Sequence, residues 1–588
     1  MSARKWRRTV LGAEKWDTFA DHDSRPVVLA AAHTLTSTLP LLDLVQLLQD
    51  SDCEVLFTTT GTSVFEAGVR ELLDGLGART VRWRDARRGR FDLTLAATTD
   101  PVLHQLRTPL LIVPHGAGHH KQTADGQVPG LSAARLLQSR LRPRRLLSGR
   151  RVIADALAFA HPGQITRLAA ECPEAVRYAR VTGDDCLAIL RANRHRRERY
   201  RRALGISDGQ RLVLVASTWG QASLIGRHPI LPARLLATLP ADRYRVALAT
   251  HANVPARHGQ FNLGEQLTPA LDSGLLLLDN QPDWRTALIA ADCLITDQGS
   301  VCSYGAALSV PLLLGGFATE QIVPGTPLAE LGRTVPRLDL AEDVSVQIEQ
   351  VLAEHAPERY RSVAEQIFDQ VDQAPELLRA VMYELMGRPV PTGPVRLRML
   401  PDPAPYQREV PAYRVRTEVG VTDGQPLVRL ARYPEPAVAS LDRRLGRSWW
   451  ADRPPLHLVA WEERADPYAL GRAAIVVGPT TSARRAADWL TGAAKRYPGA
   501  RLVMATVGPG RVLLRERCGA PLTAWVESET ERTEPAWLAS VVYALLLAGA
   551  VPTVGPVAAR LEADSGPLTV WVEQTAQAES ASICTVNR

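Results

Sequence analysis

The sequence predicts an α/β protein made of two consecutive Rossmann-like lobes followed by a third α/β unit. Three observations point there. The 588 residues are too many for one hydrophobic core. Short apolar runs alternate with helix-length segments through the first two thirds of the chain, the rhythm of doubly wound parallel sheets. A proline-rich break between Gly387 and Pro411 then separates these lobes from further strand-like runs. With 46% apolar and 22% charged residues the composition is that of a globular protein, which excludes wholesale disorder.

Residues 1–25 read as an N-terminal extension. The first lobe, residues 26–195, opens with the apolar run Pro26–Ala32, a buried strand. A helix at Leu39–Leu48 and a strand at Cys53–Thr58 follow, then a helix near Ser63–Leu76 and strands at Thr80–Trp83, Leu93–Ala97 and Leu110–Val113. The second lobe, residues 196–385, takes shape from Arg211 onward, after a basic helix at Arg194–Leu204. Its strands are expected at Arg211–Ser217, Tyr244–Ala249, Leu275–Leu278, Leu294–Thr296 and Pro311–Leu314, with a helix at Trp284–Ala291. Residues 386–411 form the linker. Residues 412–588 make the third α/β unit, whose clearest strands are Ala473–Gly478 and Arg501–Thr506, ending in a small polar tail after Gln574. No repeat of 20–50 residues is present.

The net charge of +7 comes almost entirely from arginine, the lysines being Lys5, Lys15, Lys121 and Lys495. No base-reading pattern accompanies these charges, so specific nucleic-acid binding is not expected. The arginine–leucine stretch Arg135–Arg151 reads as a solvated face, with peripheral contact to an anionic membrane as the alternative. Seven scattered cysteines without a CxxC pair imply a reducing compartment and no structural zinc. Met1–Arg8 is basic but no apolar run follows, so a secretory signal is not expected. Trp537–Val551 is the longest apolar stretch and is too short to span a bilayer, so a buried helix is expected there. The expected location is cytoplasmic, with the inner membrane face as the place of any peripheral contact.

The richest segment is Asp283–Gly316. A strand ending in Thr296-Asp297-Gln298-Gly299-Ser300-Val301 opens directly into a helix, which leaves backbone N–H groups and the positive helix end at the turn. Such a turn suits a phosphate or pyrophosphate. Gly299 permits close approach, and the Ser300 hydroxyl can cap the helix or reach the ligand; simple capping by Asp297 and Ser300 is the competing reading. In the first lobe Pro114-His115-Gly116 follows a buried strand, placing His115 at the sheet edge that faces an inter-lobe cleft. A neutral imidazole there can accept a proton at cellular pH, which makes His115 the candidate catalytic base. His119 and His120 crowd the same loop without a carboxylate partner, so no metal site is expected. Thr218, Trp219 and His251 end strands of the second lobe. Trp219 can stack on a nucleobase or simply pack.

These segments resemble the nucleotide-binding elements of GT-B transferases, and most of all the CDP-glycerol glycerophosphotransferase family of teichoic-acid synthesis. That family's Thr-Asp-Tyr-Ser-Ser-Val turn is matched by Thr296, Asp297, Ser300 and Val301. Its His-Gly-Thr-Pro-Leu-Lys loop is similar to His115–Lys121, its Pro-Thr-Trp-Arg element to Ser217-Thr218-Trp219, and its Arg-Pro-His-Pro element to the surroundings of His251. The chain departs from the pattern at Gln221, near where an arginine is expected, at Gly183-Asp184-Asp185, a reduced Pro-Arg-Asn-Asp turn, and at Tyr304, where the family has an aspartate.

The resemblance implies two Rossmann-like lobes in a GT-B arrangement. It implies an inverting-type transfer of a glycosyl or glycerol-phosphate group from a nucleotide-activated donor to a hydroxyl acceptor, which can be lipid-linked. His115 would be the base. Gly116, Thr218, Trp219, His251, Thr296, Asp297, Gly299, Ser300 and Val301 would bind substrate, and the donor would be a substrate with no separate cofactor. Two alternatives stay open: a degenerate GT-B scaffold that binds a nucleotide or a protein partner, motivated by the departures above, and a sugar-nucleotide 2-epimerase. The epimerase's carboxylate pair is replaced here by Ser303-Tyr304. Absence of GxxxxGK[ST], HExxH and GxSxG argues against a P-loop NTPase, a zincin and a typical serine hydrolase.

Overall fold

The computed structural model describes residues 25–48, 53–62, 66–124, 137–139, 141, 143–278, 283–445, 456–517, 519–526, 534–551, 555–563 and 566–574. In the first lobe six parallel strands, β1 (Val27–Ala32), β2 (Glu54–Thr59), β3 (Leu93–Ala96), β4 (Leu110–Ile112), β5 (Ala156–Phe159) and β6 (Ala179–Val181), lie in the order β6-β5-β4-β3-β1-β2. The apolar runs of β1, β3, β4 and β5 are buried on both faces, as a helix-covered parallel sheet requires. The expected strand at Thr80–Trp83 contributes a single bridge from Thr80 to Phe57, and a helical turn at Trp83–Ala86 follows. The run Arg82-Trp83-Arg84-Asp85 has too little apolar surface to extend a buried strand.

The second lobe orders β7 (Arg211–Ser217), β8 (Tyr244–Thr250), β9 (Leu276–Leu278), β10 (Cys293–Thr296) and β11 (Leu312–Leu314) as β9-β8-β7-β10-β11. The winding direction reverses between β7 and β10, and such a switch point opens a crevice at the strand C-termini. In the first lobe the same reversal falls between β1 and β3. The crevices of the two lobes line a shared cleft, a GT-B arrangement.

Two segments tie the lobes together. Helix α5 (Ala374–Met386) returns to the first lobe, where Leu378, Val381, Met382 and Tyr383 join the core around Val28, Leu44 and Leu93. The proline-rich segment beyond it is a strap rather than a free spacer: Leu400 N–H donates to Asn193 at 2.9 Å, Tyr406 pairs with Leu277, and Arg408 reaches Asp272 at 2.8 Å.

In the third unit β12 (Ala412–Thr422), β13 (Gln425–Pro434), β14 (Leu456–Trp461), β15 (Ile475–Thr480), β16 (Leu502–Gly508), β17 (Arg511–Glu516), β18 (Pro521–Val526), β19 (Val557–Ala563) and β20 (Gly566–Gln574) close into a barrel, ordered β12-β13-β19-β20-β18-β17-β16-β15-β14. Parallel β14-β15-β16, joined by helices, form its α/β part, and the other pairs are antiparallel except β13 with β19. The apolar stretch noted in the sequence is helix α6 (Pro535–Leu547). Apolar all round, it packs against inward residues of every strand, from Val415 and Val428 to Val570 and Val572. Its Ser540 meets the buried ring of His457 at 3.1 Å. Burial holds that imidazole neutral, pushing it down to about 4. The barrel docks on the second lobe through Arg432, which is paired with Asp242 at 2.6 Å and with Glu534.

The stretch Arg135–Arg151 forms no continuous amphipathic helix. Part of it lies outside the described residues. The rest is Leu137–Ser139, paired with Gln122–Ala124, a helical turn at Pro143–Leu146, and a two-rung hairpin from Leu147 to Val152. Leu141 and Leu146 are buried in the first lobe's core, so these leucines face inward. Residues 1–24 and the tail after Gln574 also lie outside the described residues. Among the described residues no helix is long and apolar enough to cross a membrane.

Candidate functional site

Every candidate site residue named from the sequence lines one cleft cavity of about 560 Å³ between the lobes: His115, Gly116, Thr218, Trp219, His251, Thr296, Asp297, Gly299, Ser300 and Val301. They do different work within it.

The turn after β10 is organised by Asp297, which is fully buried. Its Oδ2 accepts from Thr218 N–H at 2.8 Å, Thr218 Oγ1 at 2.9 Å and Leu224 N–H at 2.9 Å, and its Oδ1 accepts from Gly299 N–H at 2.9 Å. The carboxylate thus takes the place of water for donors on both sides of the switch point. Thr296 Oγ1 donates to the Ala216 carbonyl at 3.0 Å. The polar groups of Thr218, Thr296 and Asp297 are therefore spent on the shape of the turn. Gln298, where the resembled family has an aromatic residue, braces the turn by accepting from Ala318 N–H and donating towards Gln321. Helix α4 (Ser300–Ala307) starts here, with Gly299 as its N-cap and no side-chain cap. Ser300 and Val301 bring the opening of the helix to the cavity.

His115 follows β4, and its Nδ1 lies 2.7 Å from the Ala97 carbonyl. A carbonyl only accepts, so Nδ1 carries the proton and the Nε2 lone pair is the basic one. Gly116 adopts φ +97° and lies against α4: a Cβ there would fall 2.4 Å from Ser300 Oγ. Glycine is what lets the histidine loop touch the phosphate-side turn. The loop then crosses to the second lobe, where His120 O accepts from Val323 N–H at 3.0 Å and Lys121 bridges to Ile322. His120 is 3% exposed and has no partner on either ring nitrogen among the described residues. Burial first, then Arg167 and His161, push it down to about 3, so it stays neutral.

His251 is held in the opposite tautomer. Its Nδ1 accepts from Asn253 N–H at 3.1 Å, so in the neutral ring Nε2 bears the hydrogen, at 3.3 Å from Thr36 Oγ1 of the first lobe. Trp219 stands beside it, ring centroids 6.2 Å apart, and is 55% exposed. Packing alone does not account for an indole so open to the cleft mouth.

The cavity floor was not foreseen. Asp43 from α1 (Leu35–Gln46), Asp184 and Asp185 at the start of α2 (Asp185–Asn193), Arg285 from α3 (Asp283–Ala290), and Ser303 and Tyr304 from α4 meet there. Arg285 pairs with Asp43 at 3.0 Å, and Tyr304 O–H donates to Asp184 at 3.2 Å. Burial raises Asp184 to about 6, against the Leu187 N–H and the Tyr304 O–H. Burial, then the neighbouring Asp43 and Asp184, raise Asp185 to about 8. Asp185 Oδ2, Ser303 Oγ and Arg285 Nε have no partner among the described residues. One sequence signal for this floor existed: a lone acid in Leu41-Leu42-Asp43-Leu44-Val45 and a lone arginine in an otherwise apolar helix, charges that only a buried partner explains. Among the described residues no group of three or more His, Cys, Asp or Glu is placed to hold a metal ion.

No protein-family model matches the chain, and no curated protein does. Among solved structures it is similar to the wall teichoic acid polymerase TagF, at 12% identity and TM-score 0.40, covering 61% of this chain and 90% of that one. It is also similar to a glycosyltransferase from Rickettsia africae (13%, TM-score 0.35, 62% and 99% covered) and to Anabaena Alr3699/HepE in complex with UDP and glucose (14%, TM-score 0.35, 61% and 99% covered).

Proposed function

We propose that the chain is a nucleotide-dependent transferase that moves a glycosyl or glycerol-phosphate group from a nucleotide-activated donor to a hydroxyl acceptor in the inter-lobe cleft. The observation that carries this reading is the contact of the His115 loop with the Ser300 turn. It sets an imidazole with a fixed basic nitrogen beside a helix N-terminus suited to phosphate.

In this reading His115 Nε2 takes the acceptor hydroxyl's proton as its oxygen bonds to the transferred group. The bond from that group to the nucleotide phosphate breaks, and the electron pair leaves on the phosphate oxygen. Negative charge gathers there, where the backbone N–H groups of Ser300 and Val301 and the His251 Nε2–H would receive it. Trp219 would carry the base, Gly299 would admit the phosphate, and Thr218, Thr296 and Asp297 would hold the turn in shape. The sequence motifs shared with glycerophosphotransferases set the range of groups moved.

The test is a thermal-shift screen with CMP, CDP, CDP-glycerol, UDP and GDP, since a ligand of the folded state raises its melting temperature by mass action. A shift selective for one base and lost in Ser300→Ala supports the donor site and names its class. His115→Ala should then keep nucleotide binding while turnover falls about 10²–10⁴-fold. If no nucleotide shifts the melting temperature at millimolar concentration, the donor site is wrong and a binding scaffold takes its place.

A further inference from the structure

The cleft is chemically lopsided. Its phosphate-side wall offers donors and positive ends: the start of α4, the His251 Nε2–H and Lys121. Among the described residues its floor carries three carboxylates, Asp43, Asp184 and Asp185, against the single guanidinium of Arg285. Arg285 is committed to Asp43, and Tyr304 gives its hydroxyl to Asp184. That leaves Asp185 Oδ2 and the Oγ of fully buried Ser303 lining the cavity without partners among the described residues. Buried polar groups are rarely left so, and an orphaned acceptor beside surplus acid asks for a donor that also brings positive charge.

We propose that this floor is a subsite for a protonated amine, so that the acceptor, or the group moved, is an amino-bearing polyol. The proposal rests on the transferase reading for the role of the amine, though binding of the amine does not depend on it. An ammonium supplies up to three N–H donors and one charge. Asp185 Oδ2, Ser303 Oγ and the Asp184 carboxylate supply acceptors from two adjoining helices. A neutral hydroxyl fills the same acceptors with Asp185 left protonated, whereas a cation draws that proton off. The ligand demanded by the whole cavity is then bipolar, anionic phosphate at the α4 end and cationic amine at the floor.

The charge logic gives a signature that simple hydrogen bonding lacks. The ionisable groups facing the floor are Asp43 on α1, Asp184, Asp185 and Cys186 at the start of α2, Arg285 on α3 and Tyr304 on α4. Cys186 and Tyr304 are held well above their usual values, chiefly by burial, and stay neutral. Asp185, raised to about 8, is protonated at neutral pH and must ionise to meet a cation. Amine binding therefore releases a proton below pH 8, and its affinity rises by as much as tenfold per pH unit from about 6 to 8 before levelling.

The experiment uses the full chain, with ethanolamine as the probe and ethylene glycol as its neutral counterpart of equal size. Binding is followed by calorimetry at constant ionic strength, in two buffers of different ionisation enthalpy. The expected result is binding of ethanolamine with proton release at pH 7, no response to ethylene glycol, and at least a tenfold loss in Asp185→Asn. Ser303→Ala, which removes one acceptor and no charge, gives a smaller loss and covers the case of an Asp185 variant that fails to fold. Equal binding of the two probes, ethanolamine binding without proton release, or no ethanolamine binding each overturns the proposal. Nucleotide shifts measured on the same samples separate the two readings: an intact nucleotide response without an amine response removes only the amine subsite.

Discussion

Asp297 and Asp185 line the same cavity, and their surroundings could hardly differ more. Asp297 accepts backbone N–H groups from Thr218, Leu224 and Gly299 as well as the Thr218 hydroxyl. Asp185 has an oxygen with no partner among the described residues, and its charged neighbours include two further carboxylates. Donors aimed at a buried carboxylate stand in for water and keep its charge; burial beside like charge makes the proton the cheaper companion. The phosphate-side turn is thus a finished piece of structure, whereas the floor is finished only when something else arrives.

The largest effect expected from this contrast is on stability. Asp297→Ala strands buried donors that cost about 1–3 kcal/mol each without an acceptor, so the lobe loses on the order of 3–5 kcal/mol. The nucleotide response should vanish with it, since Thr218 and Gly299 lose their anchor. Urea unfolding checks this, with Ser300→Ala as the control that keeps wild-type stability. A wild-type midpoint for Asp297→Ala would mean that the turn is held by something else.

Asp185 predicts an effect of opposite sign and comparable size, visible only against pH. Its folded pKa is raised to about 8, far above a carboxylate's unfolded value of about 4. Between these limits the folded state binds the extra proton, so stability falls as pH rises, by up to about 1.4 kcal/mol per unit, and flattens above 8. Asp184, raised to about 6, steepens the lower part of that window. Asp185→Asn should match the wild type near pH 4 and exceed it near pH 8. A parallel pH profile for the two would show that Asp185 is ionised in the folded chain.

The contrast also separates what the sequence discloses from what it hides. The turn of Thr296–Val301 is local: a strand, a hydroxyl-bearing turn and a helix start lie within one short segment, and the likeness to a known motif lies within it too. His115 is legible for the same reason, as the residue just past a dense apolar strand. The floor gathers Asp43, Asp184, Asp185, Arg285 and Ser303 from four helices spread over some 260 positions, and no local pattern joins them. In the third unit the parallel strands at Ile475–Thr480 and Leu502–Gly508 stand out as apolar runs. Barrel closure depends instead on long-range pairs such as Val415 with His457 and Leu561 with Val428. The hairpin Ala412–Pro434 is polar along its outer face and carries many charges, so its alternation is hard to tell from a loop. Helix α6 was foreseen as buried, but not that a barrel would be what buries it.

The smallest predicted effect concerns Trp219, which belongs to neither carboxylate's neighbourhood and tests the open end of the cleft. Because the ring is 55% exposed, truncation removes little packing, and Trp219→Ala should leave the melting temperature of the ligand-free chain nearly unchanged. A base stacked on the indole is worth about 0.5–1.5 kcal/mol, a loss of roughly 2–10-fold in nucleotide affinity. Trp219→Phe keeps a smaller aromatic face and should recover part of it. Titration of whichever nucleotide gives the largest thermal shift decides between the uses of this residue. Weaker binding with unaltered stability makes it a base platform, whereas a fall in stability with unaltered affinity makes it a packing residue.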